Sequence, residues 1–418
     1  MFFLKLILIF ISAIYSYHSI LSSFILIIVV KQKSIKMKRT LFFLLLALGV
    51  QLSYADLLTD ITDGKYKAKT VNYMQSMKDG EHYTVLLDNE MIIKYSYKTG
   101  KAVDTILDLS KIKKSPLVNI KGYTFSPNEL KILVYSSPQY RYRRSFTANY
   151  YIYDVRRKEL KPLSGKGPQE VPLFSPDSRY VAFARENNLY LYKIDFDSES
   201  VVTKDGEFGK IINGTPDWVY EEEFEETRYF VFSPDSKLLA FTKFDETNVP
   251  TYSMMRYLDS SVMQDDIPLY PTIQTFKYPK SGQNNSKVSV CVYDDFYKSV
   301  RTINLGINDT DFYIPRIKWT KDQEKLAIFV LNRNQNRLDM LFANPKSLLS
   351  KLILRDEDKC YVDYENIDDV RFTADNKYFT YISEKDGYRH AYLYNINGTL
   401  SKQLTKGNWD VTNVYGFD

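Results

Sequence analysis

Cysteine is scarce in this chain, charge of one sign is nearly balanced away, and long helical periodicity is missing. Each lack excludes something. The two cysteines of 418 residues, Cys291 and Cys360, have no metal-ligand spacing and cannot make a zinc site by themselves. Two readings of them stay open: a disulfide in an exported protein, or two separate buried thiols. Nothing in the composition asks for a metal or a cofactor. The formal charge of +5 is a property of the leader, because residues 1–55 hold six basic groups (Lys5, Lys31, Lys33, Lys36, Lys38 and Arg39) and no acidic one. Without them the chain has 50 basic residues against 51 acidic, which removes the electrostatic reason to expect nucleic acid. From Asp56 onward no helical period is sustained, and the strand content excludes a helical array.

What is present begins with a hydrophobic leader. Met37-Lys38-Arg39, the apolar run Leu41 to Val50 and Ser53-Tyr54-Ala55 have the layout of a signal peptide over residues 37–55, with a basic start, a run too short to span a bilayer and a small-x-small cleavage site. Residues 1–36 are a hydrophobic extension in which Leu6 to Val30 is apolar enough to cross a membrane. Either this is an anchor, or the start is over-extended and Met37 is the true one; the complete signal peptide at Met37 favours the second. Both readings export the body, as a periplasmic, secreted or membrane-anchored protein.

The body, residues 56–418, repeats. Phe125-Ser-Pro-Asn128, Phe174-Ser-Pro-Asp177 and Phe232-Ser-Pro-Asp235 each precede a short apolar run. Looser copies are Trp319-Thr-Lys-Asp322 and Phe372-Thr-Ala-Asp375, and His82 to Ile106 reads as an earlier unit without the turn. An aromatic closes one strand, proline presets φ, Asp or Asn bonds the backbone of a tight turn, and the next strand pairs back. Such units at intervals of about fifty residues predict an all-β chain, a β-propeller of seven to eight four-stranded blades with the last incomplete. A β-sandwich is the alternative. Val411 to Tyr415 reads as the opening strand of a further blade, and the Pro-, Ser- and Asn-rich stretch from Thr251 to Lys287 as a long extended connection.

One stretch stands outside the repeat. Asp217-Trp218-Val219-Tyr220-Glu221-Glu222-Glu223-Phe224 sets three adjacent carboxylates among large rings. Adjacent like charges repel, and rings that draw them against protein make them costly unless a cation answers them. A primary ammonium, with three donors and no acceptor, suits that need. The run resembles the Asp-Trp-Val-Tyr-Glu-Glu-Glu segment of the dipeptidyl peptidase IV family of serine exopeptidases. Arg143-Arg-Ser-Phe-Thr-Ala-Asn-Tyr150 resembles that family's Arg-x-Ser-Tyr-Thr-Ala-x-Tyr, and Tyr278-Pro-Lys-Ser-Gly282, Phe244-Asp-Glu-Thr-Asn-Val-Pro250, Gly387-Tyr-Arg-His390 and Thr405-Lys-Gly-Asn-Trp-Asp-Val411 add to the likeness, which runs from about Thr70 to the last residue.

The resemblance implies a helical insertion in an N-terminal propeller whose second and third carboxylates, Glu222 and Glu223, grip the free α-amino group of a peptide. It places on Arg143 a bond to a substrate backbone carbonyl, with Arg144 the neighbour that could take the role instead. The expected partner is a peptide with a free amino terminus, and full-length relatives release X-Pro or X-Ala dipeptides; a prolyl tripeptidyl peptidase is a close variant. The family's nucleophile lies in a Gly-x-Ser-x-Gly turn on a C-terminal α/β-hydrolase domain. No Gly-x-Ser-x-Gly occurs in these 418 residues, and His390 reads as a packed histidine of a blade. The expectation is therefore a truncated, substrate-gating propeller with no catalytic residue of its own, whose α/β-hydrolase domain is missing or separate. A non-catalytic peptide-binding or protein-interaction propeller is the competing function, and a homodimer is left open.

Overall fold

The computed structural model describes residues 57–68, 73–257 and 270–417. The hydrophobic extension 1–36 and the signal peptide 37–55 lie outside the described residues. Contacts divide the chain between Asn72 and Tyr73. In the first unit, a short helix and turns occupy residues 57–66. The second unit is the β-propeller.

Six sheets follow one another along the second unit, over residues 74–108, 122–162, 170–201, 211–302, 312–357 and 371–403. Five are four-stranded antiparallel meanders and the fourth has five strands. Seven to eight blades are the sequence expectation; six lie among the described residues, and the sixth has all four of its strands. Val411 to Tyr415 forms no strand. Val411 N–H bonds to the loop carbonyl of Arg389 at 2.7 Å and Val414 N–H to Asp369 Oδ1 at 3.1 Å, so these donors are used outside any ladder.

The repeated turn is built as its residues demand. Ser175 Oγ donates to Asp177 Oδ1 at 2.6 Å and accepts the N–H of Tyr180 at 2.9 Å, while Ser178 takes a left-handed φ of 63°. Ser233 with Asp235, Ser126 with Asn128 and Thr373 with Asp375 repeat the same bond. The left-handed residue then reaches the preceding blade: Ser178 Oγ accepts the N–H of Asn128 at 3.1 Å, and Ser236 Oγ that of Asp177 at 3.0 Å. In the third and fourth blades the motif that makes the hairpin thus also ties it to the blade before.

Packing between blades follows strand alternation, since successive side chains point to opposite faces. On the strand Tyr180–Arg185, Val181 and Phe183 pack toward the second blade with Leu133 and Ile152, whereas Ala182 and Ala184 pack toward the fourth with Phe241 and Tyr293. Cys291 is buried in that second interface and Cys360 is exposed; both are free thiols. His390 is fully buried, its Nδ1 3.0 Å from Thr405 Oγ1 and its Nε2 3.0 Å from the Gly407 carbonyl. A carbonyl only accepts, so Nε2 carries the proton and the ring is a structural link.

Two excursions leave the fourth blade. Its first strand is split: Ile211–Asn213 and Phe230–Phe232 pair with successive lengths of Leu238–Asp245, and residues 214–229 loop out between them. Between Leu238–Asp245 and its partner Lys287–Asp294 the chain makes a second excursion. Here the expected extended connection is instead a two-stranded ribbon, Thr251–Arg256 against Thr272–Lys277, whose strands bond to each other.

Candidate functional site

The first excursion opens at Gly214, whose φ of 75° turns the chain out of the sheet. A Cβ there would stand 2.7 Å from the Leu189 side chain, so the position needs glycine twice over. Gly214 N–H bonds to Thr242 and Tyr229 N–H returns to Gly214, closing the loop at its base. Asp217 then caps the helix Trp218–Glu222: Oδ1 accepts the N–H of Tyr220 at 2.9 Å and Oδ2 the hydroxyl of Ser286 at 2.5 Å. Burial pushes the Asp217 carboxyl above its ordinary range, against the pull of those bonds.

Tyr220 and Phe224 anchor the helix. The Tyr220 ring meets Phe224, Tyr229 and Phe244 with centroids 5.1, 5.5 and 4.8 Å away, and its hydroxyl accepts the N–H of Ile314 at 2.9 Å. Phe224 stacks edge-on against Tyr364 of the loop before the sixth blade. The apolar face of the excursion is thus locked onto three blades, and the carboxylates occupy what is left.

The three glutamates have different fates. Glu221 is 1 % exposed, and its Oε1 accepts the backbone N–H groups of Arg144 at 2.8 Å and Ser145 at 2.7 Å. Glu222 is half-buried; its Oε2 lies 3.3 Å from Arg143 Nε and 3.8 Å from Arg144 Nη1. Glu223 is exposed, and among the described residues its carboxylate meets no donor. Arg144 Nη1 donates to the Glu221 carbonyl at 3.2 Å and Nη2 to Glu225. The two arginines sit on the loop joining Lys131–Tyr140 to Phe146–Asp154 in the second blade. Of the residues singled out in the sequence, Glu222 and Arg143 are therefore brought together, while Glu223 stands beside them facing solvent.

Three features escape the sequence reading. Glu221 is given no role there, the grip being placed on Glu222 and Glu223, yet it is the post that fastens the arginine loop to the helix. Beneath the loop, the Arg141 guanidinium stacks on Tyr142 and Phe208, near the buried carboxyls of Glu170 and Glu246. Burial pushes Glu170 up, and it pushes Glu246 up to about 7, with Asp217 adding to the effect and Arg141 opposing it in both cases. Finally, a groove of about 720 Å³ runs from Glu222 past Trp218 and Tyr142 to the ribbon, where Tyr252, Phe276 and Tyr278 form its wall. The alternation of rings at Phe276 and Tyr278 is the sequence signal for that wall.

Residues 126–418 match the family model of the dipeptidyl peptidase IV (DPP IV) N-terminal region. Among solved structures, the dipeptidyl peptidase 4 of Porphyromonas gingivalis is similar at 43% identity and a TM-score of 0.80, over 86% of this chain and 50% of that one. Among curated proteins, a probable dipeptidyl peptidase 4 of Aspergillus clavatus is 30% identical over 83% of this chain and 45% of its own length. The human prolyl endopeptidase FAP is 28% identical over 86% of this chain and 47% of its own. The chain thus spans about half the length of the relatives it matches. With more than half of its residues under the family model, and with the propeller and the helix-bearing fourth blade in place, the chain belongs to the dipeptidyl peptidase IV family, of which it carries the N-terminal region.

Proposed function

We propose that this chain is the substrate-gating propeller of a dipeptidyl peptidase IV-like serine peptidase, and that Glu222 and Glu223 hold the free α-ammonium of a peptide while Arg143 bonds a backbone carbonyl further along. The observation that carries the reading is the pairing of Glu222 with Arg143 beside the exposed Glu223. A carboxylate fixed by a guanidinium keeps a set orientation, and its second oxygen and its neighbour remain to accept from an ammonium. A guanidinium at the same lip offers donors to a carbonyl. Together they measure a peptide from its amino terminus. An acylated terminus removes the cation and leaves the carboxylates without their partner, which is the source of selectivity.

Bond cleavage belongs to a nucleophile outside these residues, supplied by an α/β-hydrolase domain, so the chain alone releases nothing from a chromogenic Gly-Pro substrate. The leader exports the protein. The test is titration calorimetry of Ala-Pro-Ala-Ala against its N-acetyl form. The free amine binds and the acetylated peptide does not, and Glu222→Gln or Glu223→Gln weakens the free amine alone. Equal binding of both forms overturns the reading.

A further inference from the structure

The arginine loop is fastened on both sides of Arg143. Arg141 N–H donates to the Ser145 carbonyl at 2.9 Å, which closes a turn with Arg143 at its centre. After Arg143, Glu221 takes the N–H groups of Arg144 and Ser145. Before it, the fastening is the Arg141 side chain. Its guanidinium lies 5.1 Å from the centre of the Tyr142 ring and 5.8 Å from that of Phe208, and the Tyr142 ring stands 6.3 Å from Phe276. The second blade, the connection into the fourth and the ribbon are so joined through Arg141 and Tyr142.

Phe208 is itself held in place. Glu207 and Ile211 exchange backbone bonds at 2.9 Å, and Gly209 with a φ of 74° completes the turn that carries the ring. Glu246 N–H donates to the Lys210 carbonyl at 2.7 Å and ties that turn to the end of Leu238–Asp245. The carboxyls of Glu246 and Glu170 are buried, and the charge of Arg141 acts on both. Ring faces and buried acids together retain an arginine, because its attraction to both grows as water is excluded. Arg143 has no such support: its side chain is exposed and reaches Glu222. An exposed side chain binds well only if its backbone is already placed, since ordering it on binding costs affinity.

We propose that Arg141 is a positioning residue for the clamp: through its contacts with Tyr142 and Phe208 it sets the place from which Arg143 reaches the peptide carbonyl. The inference rests on the role given to Arg143 above and adds to it two residues, Arg141 and Phe208, that act without touching the peptide.

The test combines titration calorimetry of Ala-Pro-Ala-Ala with hydrogen exchange across residues 141–146. Both are run on the full chain and on Arg141→Met, Phe208→Ala, Arg143→Ala and the double variant Arg141→Met/Arg143→Ala. Phe208 is 67 % exposed, so its removal leaves the core intact and guards against a folding defect at Arg141. Arg141→Met and Phe208→Ala should each weaken the peptide roughly three- to tenfold and quicken exchange across the loop. In the Arg143→Ala background Arg141→Met should cost nothing further, since a residue that acts through Arg143 then has nothing to position. Losses that add in the double variant overturn the assignment. So does unchanged affinity in Arg141→Met, or unchanged exchange in Arg141→Met and Phe208→Ala. Unimpaired binding by Arg143→Ala overturns the clamp instead, and the loop exchange still decides the positioning of Arg143.

Discussion

Glu221 accepts the backbone N–H of Ser145 at 2.7 Å, across 76 residues of sequence, and so joins the helix of the fourth blade to the arginine loop of the second. The same oxygen takes the N–H of Arg144 at 2.8 Å. Both donors are held away from water by a side chain that is itself buried, so removing the carboxylate strands them. Glu221→Ala should lower the unfolding free energy by about 2–3 kcal/mol, the cost of buried donors without partners. Glu221→Gln, which keeps an acceptor oxygen, should cost about 1 kcal/mol. Urea unfolding measures both, and equal effects from the two substitutions would show that the bonds to the loop carry no weight.

Arg143 and Arg144 are neighbours with different work. The Arg143 side chain is 73 % exposed and, among the described residues, pairs with Glu222 alone, whereas Arg144 is 27 % exposed and bonds the Glu221 carbonyl and Glu225. An exposed ion pair is worth about 0–1 kcal/mol. Arg143→Ala should therefore leave stability within about 0.5 kcal/mol while weakening peptide binding, and Arg144→Ala should lower stability by about 1–2 kcal/mol. Thermal unfolding together with peptide titration separates the two. A stability loss at Arg143 matching that at Arg144 would remove the distinction.

The contrast explains what could be read in the sequence. The turn chemistry is local, and Ser175-Pro-Asp177 forms the bonds its residues dictate, so the blades were legible. The triplet at Glu221 to Glu223 was legible as a site but not as three roles, because the difference between them is made by Ser145 and Arg143, some eighty positions away. A buried carboxylate and a solvated one have the same letter; only the partner decides. The ribbon was missed for a similar reason. Thr251–Arg256 and Thr272–Lys277 are bounded by Pro and polar residues, which read as loop, and their pairing to each other is what makes them strands.

Tyr220 brings a hydroxyl into a core of aromatic and aliphatic side chains. It is 1 % exposed, and its oxygen is the acceptor for the Ile314 N–H at 2.9 Å. Tyr220→Phe keeps the ring contacts with Phe244 and Tyr229 and removes only that acceptor. The expected loss is about 1–3 kcal/mol of unfolding free energy, with the aromatic packing unchanged. Hydrogen exchange at the Ile314 amide should quicken in the variant. An unchanged exchange rate would mean that the bond does not protect that strand.

Glu246 sets a pH dependence with a definite sign. It is 5 % exposed, and burial first, then the neighbouring Asp217, lifts its carboxyl from 4.5 to about 7. The folded chain therefore keeps this proton at pH values where the unfolded chain has lost it. Stability falls wherever the unfolded state binds fewer protons, so this group's contribution is full below about pH 4.5 and declines as the pH rises to about 7. A shift of this size corresponds to a few kcal/mol at most, on the order of 3 by the usual conversion of about 1.4 per pH unit. Glu246→Gln removes the ionisation and leaves a group of the same shape, so the variant should match the parent near pH 4.5 and exceed it in stability by about 2–3 kcal/mol at pH 8. Urea midpoints for the pair across that range read the difference directly, free of the other titrating groups that both share. A constant gap between the two curves would show that Glu246 is ionised in the folded chain throughout, and that Arg141 and Lys277 compensate its burial.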